Sequence, residues 1–162
     1  MTIRTNAPTM LENPPIPVQA KIAAAWTSFM FLYAYVDILN FYKPGAIDSI
    51  LNGLMFEYEV SATIVTSVLV AVSIPAVMVV LSMMLPARVN RAMNLVMAFL
   101  YIPFTVFNAT GETWEWAGFY GIAIGIEVLL LTVILRAAWT WPRIAAVPGG
   151  GATTDLRQDV RQ

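Results

Sequence analysis

Glu127 is the residue best placed to do chemistry. It stands nine residues before Arg136 and twelve after Glu115, inside the otherwise apolar run 118–136. If that run crosses a bilayer, the carboxyl sits near the midplane. A charged group there costs about 3 kcal/mol, while each Leu, Ile, Val or Phe returns roughly 0.3–0.6 kcal/mol. Eleven such residues lie between Phe119 and Leu135, so the run inserts regardless. No basic residue reaches a comparable depth in any other apolar run. The carboxyl is therefore expected to be protonated and to hydrogen-bond to a neighbouring helix. Depth counted from the ends nominates Ser73, Tyr101 and Ser28 as partners. Three roles stay open: a neutral structural hydrogen bond, a proton- or substrate-coupled carboxyl, and a contact with another subunit.

Other chemistry is limited by what the chain lacks. It has no Cys and no His, so disulfides, thiolate nucleophiles, imidazole proton transfer and His-ligated metal or haem have no residue to act. A serine-type site would lack its base. An aspartyl dyad needs two apposed carboxyls, whereas Asp37 and Glu127 differ in depth by ~15 Å at the helical rise. Asp37 is expected to be solvated or bonded to Tyr33 or Asn40, with Asn94 and Asn108 as interhelical hydrogen-bonders. No catalytic, cofactor-binding or metal site is assigned, and the chain reads as a non-enzyme with no intrinsic cofactor. Lipid or pigment contacts at its surface are the exception.

The elements that must position these groups are four apolar runs, 22–41, 61–85, 90–110 and 118–136. Hydrophobic residues make up 59% and charged residues 12% of the 162, and mean hydropathy is +0.70; a soluble domain carries about a quarter charged residues. Each run is long enough to cross roughly 30 Å of hydrocarbon as a helix, and lipid offers the backbone no other partner. The expected fold is all-α: a polytopic membrane protein with four transmembrane helices in an antiparallel bundle. In the loop before the second run, Ile47, Ile50, Leu51, Leu54 and Met55 recur at helical spacing. They predict a short interfacial helix packed over the bundle's own mouth, or else a docking surface. Pro75 and Pro103 are expected to kink their helices, with Ser73 or its neighbours reclaiming the freed carbonyls.

Charge sets the topology. Threading the runs puts Arg4, Lys21, Arg88, Arg91, Arg136, Arg143, Arg157 and Arg161 on one side and only Lys43 on the other. By the positive-inside bias, both termini lie in the cytoplasm of a bacterial inner-membrane protein. Asp48, Glu57, Glu59, Glu112 and Glu115 fall outside. Neither face has the dense basic patch that nucleic acid requires. The first run is too long for a cleavable leader and reads as an anchor. Trp26, Trp139 and Trp141 on one side, and Trp114 and Trp116 on the other, fall near the span limits as interface anchors. The layout is a Pro-rich cytoplasmic arm (1–21), a four-helix domain (22–143) and a Gly-rich tail (144–162). The arm reads as an entry linker or as a strap along a partner.

Several segments carry a resemblance: Pro14-Pro15-Ile16-Pro17-Val18-Gln19-Ala20-Lys21, Leu85-Pro86-Ala87-Arg88-Val89-Asn90-Arg91, Tyr101-Ile102-Pro103 with Asn108, and Leu135-Arg136-Ala137-Ala138-Trp139-Thr140-Trp141-Pro142-Arg143. Together they resemble a family of small bacterial four-helix integral membrane proteins known only as a domain of unknown function. The resemblance spans about residues 14 to 143 and implies the same layout. It brings no site residues.

Function follows from the last helix. Gly118, Gly121 and Gly125 line one face, Gly121 and Gly125 as a G-x-x-x-G pair, nearly opposite Glu127. Packing signals on both faces call for protein on each. The first expectation is an accessory or scaffolding subunit of a larger membrane complex, respiratory or photosynthetic by analogy, with other membrane subunits and lipids as partners and no metal. The alternative is a small proton-coupled transporter using Glu127. Small multidrug transporters also have four helices and an essential membrane glutamate. Theirs lies in the first helix, however, and their weak charge bias permits antiparallel dimers, which the bias here disfavours.

Overall fold

The computed structural model describes residues 14–55, 58–110 and 112–142. The readings of the arm and tail fall largely on 1–13 and 143–162, outside those residues, as do Arg4, Glu57, Arg143, Arg157 and Arg161. α1 runs Val18–Asn40, starting directly after Pro17, and α2 is the short Ala46–Leu51. β1 (Leu54–Met55) pairs antiparallel with β2 (Tyr58–Glu59), Leu54 opposite Glu59 and Met55 opposite Tyr58. α3 is Ala62–Met84, α4 is Ala87–Phe107, and one 3-10 turn, Trp114–Trp116, leads into α5, Ala117–Trp139.

Local chemistry explains the limits. Ser61 caps α3, its side chain accepting from the Ile64 N–H at 3.3 Å. Pro86 stands just before α4, where its missing N–H costs nothing. α2 stops because Gly53 takes φ +77°, a left-handed conformation that bulkier residues resist. Leu54 and Met55 therefore leave the predicted helix and form β1, a correction to the helical spacing. A second correction concerns placement. α2 has no buried residue and packs mainly on β1, so it does not cover the bundle's mouth.

Four helices are long and apolar enough to cross a membrane. The chain is a helical membrane protein with an antiparallel four-helix bundle. α1 lies between α3 and α5, and α5 also packs on α4. α3 and α4, joined by the Pro86 turn, meet through side chains more than backbones. We call the two ends of the bundle the Pro86 end and the Lys43 end. The core is concentrated toward the Pro86 end. Every buried residue of α1 falls between Ile22 and Phe29, and of α3 between Pro75 and Ser82. Trp26, Phe29 and Tyr101 meet edge-to-face, with ring centroids 5.8–6.0 Å apart, the arrangement aromatic quadrupoles favour. Toward the Lys43 end α3 is less covered, and residues 65–70 are all exposed.

Candidate functional site

α5 buries Tyr120, Ala123, Glu127, Leu131, Ile134 and Ala138, a stripe at three- and four-residue steps that faces the bundle. Glu127 is thus 4% exposed. Thr105 of α4 is its polar neighbour, and Asp37 of α1 faces it at longer range. Thr105 is fully buried, and its hydroxyl makes no hydrogen bond of ordinary geometry.

The three nominated partners are engaged elsewhere. The Ser73 hydroxyl donates to the Leu69 carbonyl of its own helix at 2.7 Å, as mid-helix serines do. Tyr101 donates to the Ala71 carbonyl at 2.5 Å. Ala71 is four residues before Pro75, so this is the carbonyl the proline leaves without an N–H partner. Tyr101, not Ser73, reclaims it. Ser28 is exposed. Counting depth at Cα level missed Thr105 because a helical side chain leans toward its helix's N-terminus. The Glu127 carboxyl is thereby shifted toward the Lys43 end, past Tyr101 to the next turn of α4. Pro103, unlike Pro75, is exposed on its helix.

A closed polar network ties three helices together near the Pro86 end. Trp26 Nε1 donates to Asn94 Oδ1 at 2.7 Å, and Ser82 Oγ donates to the same oxygen at 3.2 Å. Asn94 Nδ2 donates to Asn90 Oδ1 at 2.6 Å, and Asn90 Nδ2 to the Ser82 carbonyl at 2.6 Å. Trp26 is therefore a core residue rather than an interface anchor, since its indole N–H finds a buried acceptor. Trp114 and Trp139 are 93% and 70% exposed, and Trp116 is half-buried. Trp141 is half-buried against the core. Arg91 donates to the Ala138 carbonyl at 3.1 Å, closing the end of α5.

At the other end Lys43 forms an ion pair with Glu112, donates to the Tyr120 hydroxyl at 3.2 Å and lies 5.2 Å from the Trp116 ring centre. The Tyr120 hydroxyl lies 2.6 Å from Glu112 Oε1 and 2.9 Å from Asn40 Oδ1. Partial burial disfavours the Lys43 charge, but its bonds to Glu112 and Tyr120 outweigh this and raise its pKa. Burial likewise opposes the Glu112 charge, and the bonds from Lys43 and Tyr120 bring its pKa below the usual carboxylate value. Asn108 donates to the Tyr33 hydroxyl at 2.8 Å, so neither Tyr33 nor Asn40 is spent on Asp37, which is exposed. An open cleft of about 300 Å³ beside this cluster is lined by Glu112, Thr113, Trp114, Tyr120 and Gly121.

Gly118, Gly121 and Gly125 face away from the bundle, and a Cβ at any of them would meet nothing within 4 Å. Among the described residues no cluster of His, Cys, Asp or Glu could hold a metal. No family model, no curated protein and no solved structure matches this chain.

Proposed function

We propose that this chain is a non-catalytic accessory or scaffolding subunit that packs within the membrane against a larger complex, energy-transducing by analogy. The observation that carries this reading is the outward glycine face of α5. Small residues at i and i+4 let a second helix approach closely enough for dispersion to drive association in lipid, and the bundle itself makes no use of them. The proposal includes the bacterial inner membrane with both termini cytoplasmic, from the basic residues Lys21, Arg88, Arg91 and Arg136 at the Pro86 end. It also includes membership of the four-helix family that the sequence resembles.

Mild detergent extraction of untagged protein from native membranes is the test. Co-migration with a large assembly is expected. Gly121→Leu and Gly125→Leu should abolish that co-migration without lowering the monomer's melting temperature, because a Cβ at either position meets nothing within 4 Å and Leu is the better helix former. A lone monodisperse monomer from native membranes sinks the proposal.

Proton-coupled transport through Glu127 is the second reading. It is favoured by one feature: a carboxyl only 4% exposed, beside a Thr105 hydroxyl that has no partner of ordinary geometry among the described residues. Under it, Glu127→Gln abolishes proton-driven flux in reconstituted vesicles; a parent protein with no flux rules it out.

A further inference from the structure

The buried polar side chains divide into two sets. Ser82, Asn90 and Asn94 are satisfied within one network with Trp26. Thr105 and Glu127 are the remainder, and they are neighbours on α4 and α5. A buried polar group left unpaired loses its desolvation energy without return, more so in lipid. The Thr105 hydroxyl is the one buried side-chain polar atom without a partner of ordinary geometry among the described residues, and the Glu127 carboxyl lies beside it.

We propose that Glu127 and Thr105 together form a proton-binding site in the middle of the bundle, open to the Lys43 end and closed to the Pro86 end. A proton taken up on a Glu127 carboxyl oxygen turns an acceptor-only group into a donor, and the carboxyl O–H then bonds Thr105 Oγ1. On release the Thr105 hydroxyl rotates and donates to the carboxylate. One hydrogen bond survives in both states, so loading and unloading do not break the α4–α5 seam. The lack of a cationic partner suits a proton rather than a permanent ion pair. From α1 the titratable groups facing the site are Asp37 and Tyr33. From α4 the neighbouring one is Tyr101, whose hydroxyl is committed to Ala71. Arg91 is committed to Ala138 at the far end of the bundle, and α3 does not pack closely on α5.

Access follows from the uneven core. Between the site and the Pro86 end stand Trp26, Phe29, Ala98, Leu131 and Ile134, all fully buried. Toward the Lys43 end α5 still buries Ala123 and Tyr120, but α1 has no buried residue beyond Phe29, α3 none before Pro75, and Asp37 is exposed on the approach. Protons therefore arrive from the Lys43 end, past Asp37.

This deepens the transport reading by naming the partner and the access side, but it is read without measuring transport. Infrared spectra of the full chain in lipid should show a protonated-carboxyl C=O band that grows as the pH falls. The band should be absent from Glu127→Gln, shifted in Thr105→Val and restored in Thr105→Ser. A band indifferent to Thr105→Val, or unchanged in Glu127→Gln, overturns the site. The chain has no Cys, so single-cysteine variants report access cleanly. In vesicles of known orientation an impermeant thiol reagent should label Asp37→Cys and Thr105→Cys from the Lys43 end only, and Leu131→Cys from neither. Labelling of Thr105→Cys from the Pro86 end, or from neither end, overturns the access. Absent flux with the band intact removes transport and leaves the site standing.

Discussion

The hydrogen bond from Tyr101 to Ala71 is a repair made by a second helix. Pro75 lies inside α3 and strands one carbonyl, and a phenol from α4 takes it up. Tyr101→Phe should lower resistance to unfolding by roughly 0.6–1.7 kcal/mol, the range for interhelical hydrogen bonds in membranes. In a Pro75→Ala background, where residue 75 regains its N–H, the same change should become nearly neutral. Unfolding titrations of the four proteins measure the cycle, and equal losses in both backgrounds contradict the repair. At this scale the sequence was legible where depth alone decides and illegible where direction does. The burial of Glu127 follows from its apolar surroundings. Its partner does not, because Ser73, Tyr101 and Thr105 all sit within a turn or so of the right height, and only side-chain lean and competing acceptors separate them. Trp26 shows the same limit: near a span end, an indole is equally at home at the headgroups or against a buried Asn94 acceptor.

Among the elements, the clamp at the Lys43 end joins the segment after α1 to the start of α5. Glu112 has a lowered pKa, so its contribution is present above its ordinary value of 4.5 and is lost as the pH falls through the lower, folded value. Lys43 has a raised pKa, so its contribution is present below 10.5 and is lost as the pH rises through the higher, folded value. Between those limits the clamp is indifferent to pH. Glu112→Gln should lower stability by about 0.5–1 kcal/mol at neutral pH, the scale of a partly exposed pair. The gap between variant and parent in thermal melts should close only below pH 4.5. A gap that closes near neutrality counts against the pairing. The helices themselves were legible, since long apolar runs bounded by Pro17, Ser61 and Pro86 leave little choice. The hairpin was not: Leu54 and Met55 continue the helical spacing of α2, and the break is the backbone conformation of Gly53.

For the molecule as a whole, packing is lopsided. One half is a sealed core of aromatics and satisfied amides; in the other, α3 is exposed from residue 65 to residue 70. A bundle built this way has one stiff end and one compliant end, so a change in bilayer thickness has an obvious place to act. A membrane thinner or thicker than the spans is accommodated by tilt, at fractions of a kcal/mol per Å. Spin labels paired across α3 and α5 should report a separation that varies with acyl-chain length near Val68 and stays constant near Ser82. Constant separations at both depths contradict this. The exposed half of α3 thus becomes a gauge of the lipid around it, anchored at its base by the Pro86 turn.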